Sequence, residues 1–106
     1  MTTYHDLTGF QRDLLEAIAA VDDDPYGLAL KEYLDERYAD PINHSRLYQN
    51  LDQLVEQDLI NRDDLDARTN VYTLTDAGRH ELQHHAETLA GLCELARPVA
   101  DGGARQ

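Results

Sequence analysis

The sequence predicts one mainly α-helical domain that carries a small β-hairpin and a further helix behind it. Apolar residues recur at helical spacing in four segments of the 106-residue chain, whereas the alternation typical of strands occurs only around 59–62 and 70–74. Charge is the third observation, because the chain has a formal net charge of −12 and yet eleven consecutive residues, Pro41 to Leu51, contain no acid.

The first two helices are predicted from their caps and apolar spacing. Thr8 and Gln11 form a capping-box pattern that opens a helix from Thr8 to Val21. Pro25 follows a turn and is placed to begin a second helix that runs to about Tyr38. The expected inner positions of the two helices are Phe10, Leu14, Ile18, Val21, Leu30, Tyr33, Leu34 and Tyr38.

A third helix is predicted from Asn43 or His44 to about Gln57, after the break at Asp40-Pro41. Its apolar positions share one side: Leu47, Leu51, Leu54 and Val55. Its polar positions share the other side: Arg46, Gln49, Asn50 and Gln53.

The hairpin and the last helix complete the pattern. Leu59 to Arg62 and Asn70 to Leu74 are the predicted strands, with a loop from Arg62 to Thr69 between them. Thr75 is the predicted cap of a final helix. Three helices, a two-stranded ribbon and a trailing helix make a winged helix-turn-helix. The predicted divisions are a winged helix-turn-helix DNA-binding domain at 1–75, a dimerisation helix at 76–97 and a flexible tail at 98–106.

Composition indicates the environment of the protein. The chain has no apolar run of membrane-spanning length, no secretion signal and one cysteine, which together favour a cytoplasmic protein. Only one of its nine basic residues is Lys. Dense carboxylates keep a protein hydrated where molar salt screens their repulsion, so adaptation to high salt is the preferred interpretation, and a basic binding partner is the alternative.

Three short motifs carry a resemblance to a known family. They are Tyr26-Gly27 in the second helix, Ser45-Arg46-Leu47-Tyr48 in the third, and the block from Val71 to Gly78. In this order and spacing they resemble the PadR family of transcription regulators, over roughly 8–95, and the acidic composition indicates the haloarchaeal branch. The resemblance implies a regulator, with stress among its candidate signals. The C-terminal part has one helix where larger family members have several.

The acid-free run is the candidate DNA surface. Arg pairs with guanine and Asn or Gln with adenine when they lie near the N-terminus of a helix in the major groove. The predicted contacts from this helix are Asn43, His44, Ser45, Arg46, Tyr48, Gln49 and Asn50. A merely solvated polar face is the alternative, and Tyr48 has two equal interpretations, packing beneath the helix or reaching a phosphate.

The wing supplies the remaining predicted DNA contacts, Arg62, Arg68 and Thr69, as phosphate ligands. Salt bridges to Asp63, Asp64 or Asp66 are the alternative. Because the loop is poor in basic residues, deep insertion of its tip into a groove is not expected.

The last helix carries an apolar stripe that predicts a homodimer. The stripe consists of Leu82, His85, Ala86, Leu89, Leu92, Cys93 and Ala96. Cys93 is expected to be a buried small side chain in the stripe, with an oxidation sensor as the alternative.

The segment His80-Glu81-Leu82-Gln83-His84 matches the zinc-peptidase pattern H-E-x-x-H. A His-rich hydrophilic helix face is the preferred interpretation, since the chain offers no clear cleft. No enzyme activity, no catalytic residue and no metal are predicted, and a metal at His80 and His84 stays an open question.

The sequence thus predicts a homodimer that binds double-stranded DNA at a pseudo-palindromic site, with no membrane and no small-molecule ligand. No cofactor is expected, other than cations held at the DNA interface. The alternative is a winged-helix module that docks on another protein without specific DNA binding.

Overall fold

The computed structural model describes residues 3–21 and 24–94. A short 3-10 turn at Tyr4–Asp6 comes first in the chain. The helices and strands follow in this order: α1 Gly9–Ala20, α2 Gly27–Asp35, α3 His44–Glu56, β1 Ile60–Asp64, β2 Asn70–Leu74 and α4 Asp76–Cys93. No helix within these residues is both long and apolar enough to cross a membrane. The predicted tail at 98–106 lies outside the described residues.

Helix α1 confirms the predicted capping box. The Thr8 hydroxyl accepts a hydrogen bond from the Gln11 backbone N–H, and the Gln11 side chain accepts one from the Thr8 N–H. The helix buries Phe10, Leu14 and Ile18 as predicted. It also buries Gln11, which the apolar spacing does not identify and which organises the site described below.

Helix α2 is shorter at both ends than the sequence predicts. Pro25 does not begin the helix, because its carbonyl accepts a hydrogen bond from the Tyr72 N–H at 3.0 Å. Tyr26 forms a single antiparallel bridge with Val71, which joins this segment to the two-stranded hairpin. At the other end the Asp35 carboxylate accepts the Ile42 N–H at 2.7 Å, which closes the turn that leads into α3.

Helix α3 follows the prediction closely and completes the core. Asn43 caps it by accepting the Arg46 N–H at 3.1 Å. The side chains of Leu47, Leu51 and Leu54 are 0% exposed. They pack in one core with apolar residues of α1, α2 and the hairpin, so the polar side of α3 is the side turned outward.

The two strands pair antiparallel, with Ile60 opposite Leu74 and Asp64 opposite Asn70. The strand β1 is longer than predicted and the loop correspondingly shorter. Asp58 enters the hairpin with φ 61°, a left-handed conformation in which Asp is enriched. With α1 to α3 this hairpin forms the predicted winged helix-turn-helix.

Helix α4 is fixed to the core through its first turns. The Thr75 hydroxyl accepts the Gly78 N–H at 2.9 Å and caps the helix. Gly78 lies so close to the Leu59 carbonyl that a Cβ atom at this position would collide with backbone. This contact explains the glycine in the Val71 to Gly78 motif. Helix α4 passes so close to the backbone at the start of β1 that a residue with a Cβ would not fit at position 78.

The 3-10 turn at Tyr4–Asp6 packs against the same part of α4. The Tyr4 N–H donates to Glu81 Oε1 at 3.0 Å, and the Tyr4 ring stacks on His85 with 4.3 Å between ring centres. Arg12 donates to the Tyr4 carbonyl at 3.1 Å and connects the turn to α1. The sequence gives little sign of this packing, because an isolated Tyr in a polar segment has no periodicity.

Candidate nucleic-acid interface

The first two turns of α3 form an exposed polar surface without carboxylates. The N-cap Asn43 and the side chains of Ser45, Arg46 and Gln49 are all exposed. Neither Ser45 nor Gln49 makes a side-chain hydrogen bond to another residue among those described, so both keep their full bonding capacity. On the same outward side, Asp52 and Glu56 follow in the third and fourth turns. The surface suited to a polyanion is therefore the N-terminal half of the helix alone.

Arg46 projects from the edge of this surface that faces α1. Its guanidinium carbon lies 4.0 Å from the centre of the Phe10 ring, a cation–π geometry. The guanidinium remains exposed, so its N–H groups are available while the stem is held in place. A side chain restrained in this way loses less entropy when it binds.

Asn50 and Gln53 are engaged within the protein. The buried Gln11 Nε2 donates to Asn50 Oδ1 at 3.1 Å and to Gln53 Oε1 at 2.7 Å. Asn50 Nδ2 in turn donates to the Arg46 carbonyl at 2.7 Å. The polar side predicted for α3 is thus divided. This network binds α3 to α1, and it occupies one acceptor site and one N–H of the Asn50 amide.

Tyr48 lies on the edge of α3 that faces α2 and the wing. It is 41% exposed, and its hydroxyl packs so tightly on Gly27 that a Cβ at that glycine would overlap it. The Tyr48 ring packs against the start of α2, and because the side chain is still partly exposed, its contact with a phosphate stays a prediction. A larger residue at position 27 would therefore have to displace the partly exposed Tyr48 ring.

A groove of about 410 Å³ opens between this edge of α3 and the hairpin. It is lined by Tyr26, Gly27, Leu28, Tyr48, Arg68, Thr69, Asn70 and Tyr72. The first amides of α2 lie at this groove, and no side chain caps that helix. Unbonded helix amides beside an Arg favour an anion, so the start of α2 joins the candidate surface although sequence reasoning did not include it. Its only sequence signal was Gly27.

The wing residues predicted to bind phosphate have different surroundings. Arg62 forms a salt bridge with Asp52 at 2.7 Å, a partner on α3 that was not among the neighbours considered from sequence. Thr69 lies half-buried on the groove, and the Arg68 side chain is exposed. The amides of Arg68 and Thr69 donate to Asp66 Oδ1 at 2.8 and 2.9 Å, which shapes the loop. The hydrogen bond from the Arg68 backbone N–H holds the pKa of the Asp66 carboxyl below its usual range.

The turn before α3 is fixed by an ionised carboxylate. The Lys31 ammonium and then the Ile42 amide, each 2.7 Å from an Asp35 oxygen, hold the pKa of Asp35 below its usual range. The charge of Asp35 is therefore balanced by Lys31 rather than directed at the exposed surface.

The predicted dimer stripe on α4 divides into two parts. Leu82 and His85 are half-buried against the chain itself, through the core and through Tyr4. Beyond them Ala86 and Cys93 are exposed, as are Leu89 at 48% and Leu92 at 77%. Cys93 is thus not buried within one chain, and burial as predicted would require a second copy. Ala96 lies outside the described residues.

The glutamate of the H-E-x-x-H segment, Glu81, has a structural role. Glu81 accepts the Tyr4 amide and lies on the side of α4 that packs on the core, whereas His80 and His84 are exposed. The described residues contain no group of three His, Cys, Asp or Glu side chains positioned to hold a metal ion.

Comparisons with known proteins agree with this geometry. The family model described as "Transcriptional regulator PadR-like family" matches residues 14–84. The chain is similar to H. salinarum RosR in crystals grown from NaBr, with 39% identity and a TM-score of 0.76, over 88% of this chain and 82% of that one.

A complex structure of hsRosR-S1 matches with 39% identity and a TM-score of 0.78, over 92% of this chain and 80% of that one. The zinc-responsive MarR family member ZitR of Lactococcus lactis is more distant, with 26% identity and a TM-score of 0.60, over 84% and 60%. No curated protein matches the chain significantly in sequence. The matched range of the family model, 14–84, includes α2, α3 and both strands of the hairpin.

Proposed function

The chain belongs to the PadR-like family of transcriptional regulators, and from that premise we propose that it acts by binding double-stranded DNA as a homodimer at a pseudo-palindromic site. One observation supports the proposal most: the first two turns of α3 are exposed, polar and free of carboxylates in a chain of net charge −12. Carboxylates placed against phosphates would repel them, so their exclusion from this surface favours a polyanionic partner.

Each α3 would lie in a major groove, with its N-terminal half against the bases. Gln49 is the principal candidate for base contact, since its amide is exposed and unbonded within the described residues and presents both a donor and an acceptor. Arg46 is the second, with its stem held on Phe10. Arg68, Thr69 and the first amides of α2 would contact the backbone on either side of the groove that contains Tyr48.

The second copy would add a matching reading helix at a fixed distance. The exposed stripe from Ala86 to Cys93 is the surface on which the two copies would meet, because it is the continuation of a stripe whose first part is already packed. Two-fold symmetry of the protein would then correspond to the pseudo-palindromic symmetry of the site.

Binding would occur in high salt with cations at the interface. Most DNA-binding proteins weaken as salt rises because their basic residues displace counterions. Here the salt bridge to Asp52 neutralises Arg62, and the aspartates of the wing loop and the acidic turns of α3 would instead gather cations between two negative surfaces. The expected affinity is flat or rising between about 0.5 and 2 M salt, and a steep fall over that range would contradict the cation proposal.

A calorimetric titration with operator and with unrelated DNA tests the assignment. Gln49→Ala is expected to weaken operator binding by about 1–3 kcal/mol and to relax sequence preference, while Gln83→Ala, an exposed glutamine on α4, is the matched control and is expected to change neither. Arg46→Ala is expected to behave like Gln49→Ala. Specific binding that survives both α3 substitutions would show that another surface reads the DNA.

The absence of any sequence-specific footprint from the native chain would instead favour a protein-interaction module. A bound protein of basic character would then be expected, because the surface outside α3 is strongly acidic.

A further inference from the structure

Two exposed histidines of α4 take no part in the proposed DNA or dimer surfaces. His80 and His84 are four residues apart, so they lie one above the other on the helix. Their rings are nearly parallel, with 10° between the planes and 6.1 Å between the centres. They lie on the side of α4 away from Gly78 and Leu82, which pack against the core.

A shared metal ion would require the two rings to move closer. A metal about 2.0–2.1 Å from an imidazole nitrogen lies roughly 3.2 Å from the centre of that ring, so two rings bound at a tetrahedral or octahedral angle have centres about 4.5–5.3 Å apart. From the observed 6.1 Å the ring centres would have to approach by about 1 Å. Both side chains are exposed, so small rotations of the rings meet no packing resistance.

The surroundings favour a cation and exclude peptidase geometry. Asp76 precedes His80 by four residues and Glu87 follows His84 by three, and both carboxylates are exposed on this side of the helix. Glu81, which would be the base of a zinc peptidase, is bonded to the Tyr4 amide on the other side. With no third protein ligand among the described residues, water would complete the coordination.

We propose that His80 and His84 form a two-histidine binding site for a divalent transition-metal ion of the Ni²⁺, Cu²⁺ or Zn²⁺ class. Paired imidazoles suit these ions, and hard ions such as Mg²⁺ and Ca²⁺ prefer oxygen ligands. The site is independent of the DNA surface. Since the two rings align only when α4 is helical, the metal binds the folded chain more tightly than the unfolded one and stabilises it.

Calorimetric titration of the full, metal-free chain with Ni²⁺ tests the proposal, and Ni²⁺ is chosen because it does not oxidise the exposed thiol of Cys93. One ion per chain is expected. Loss of an outer-shell partner already weakens metal sites about 10–100-fold, so His80→Gln and His84→Gln are each expected to weaken binding by at least that factor. The control His44→Gln, an exposed histidine on α3, is expected to bind as the native chain does.

Thermal unfolding gives a second readout. Saturating Ni²⁺ is expected to raise the unfolding temperature of the native chain and of His44→Gln, and to leave that of His84→Gln unchanged. Mg²⁺ is expected to have no such selective effect. The proposal is overturned if the native chain binds no Ni²⁺, or if the His80→Gln/His84→Gln double variant retains both the binding and the thermal shift.

Discussion

Helices α3 and α4 are both amphipathic, but only α3 finds all of its apolar partners within one chain. The leucines of α3 are fully buried, so its outward surface is polar by default and is distinguished only by the absence of acid. Helix α4 packs its first turns on the core and leaves Leu89 and Leu92 exposed. Under the proposed function α3 would recognise a polar partner, whereas the exposed leucines of α4 would be covered by an apolar surface.

Disrupting the proposed dimer contact along the exposed stripe of α4, from Ala86 to Cys93 (the α4 seam), is expected to have the largest effect. Burial of a leucine contributes about 1.5–3 kcal/mol, and a two-fold seam contains two copies of each residue. Leu89→Asp removes that contribution and adds two like charges, so the dimer is expected to dissociate. Light scattering measures the mass. Leu65→Asp is the control, because this leucine at the wing tip is 51% exposed and Leu89 is 48% exposed.

A Leu89→Asp protein that stays fully dimeric would refute the α4 seam. Dissociation of both variants would indicate that added charge, rather than the seam, is responsible.

Leu51→Ala, on the buried side of α3, is expected to destabilise the fold of each chain rather than to separate the two copies of the dimer. Leu51 is 0% exposed, and removal of a buried leucine side chain costs about 2–5 kcal/mol. Leu92→Ala, at a residue 77% exposed in one chain, is the contrast and is expected to lower dimer affinity without this loss of intrinsic stability. Urea unfolding over a range of protein concentrations separates the two. If both variants lose the same unfolding free energy, and the loss depends on protein concentration in the same way, the distinction between the two helices is wrong.

A smaller effect is expected from the wing. Arg68→Ala is expected to weaken binding to operator and to unrelated DNA by a similar amount, about 0.2–1 kcal/mol, the range for an exposed ion pair. Arg79→Ala, at an exposed arginine of α4, is the control. Competition binding with the two DNAs measures both affinities. A selective loss of operator binding in Arg68→Ala would move base readout from α3 to the wing.

The smallest effect concerns the turn that positions α3. The pKa of Asp35 is below its usual value of about 3.9, so its contribution to stability is present above that pH and is lost as the pH falls through the lower folded-state pKa. Asp35→Asn is expected to be less stable than the native chain at pH 7, by an amount that shrinks towards pH 3. Urea unfolding at both pH values measures this, with Asp63→Asn in the exposed wing as the control. A stability difference that is unchanged by pH would contradict the role of the Asp35 charge.

The fold could be predicted from sequence where local signals and burial agree. Thr8 and Thr75 each cap a helix as predicted, and β2 has the predicted bounds. Asn43 caps α3, which was predicted to begin at Asn43 or His44. Prediction was wrong where a distant contact overrides a local preference. Pro25 is a good first helical residue, but its carbonyl bonds the hairpin, and α2 therefore begins later.

The acid-free surface could be predicted from sequence, because charge is visible there, and the structure places it on the outward side of the first two turns of α3. Its contact with DNA stays a prediction. The division of its polar side was not visible, since it depends on Gln11, a polar residue that is buried by its bonds to Asn50 and Gln53. The pairing of Arg62 with Asp52 likewise depends on the orientation of the hairpin against α3.

The most direct test of the central claim places a carboxylate on the acid-free surface. Gln49→Glu conserves the shape of the side chain and adds one negative charge, and Gln83→Glu adds the same charge at an exposed position on α4. In an operator titration the first is expected to lose at least about 1–3 kcal/mol of binding and the second to bind like the native chain. Equal binding by both variants would contradict the assignment of α3 as the helix that meets DNA.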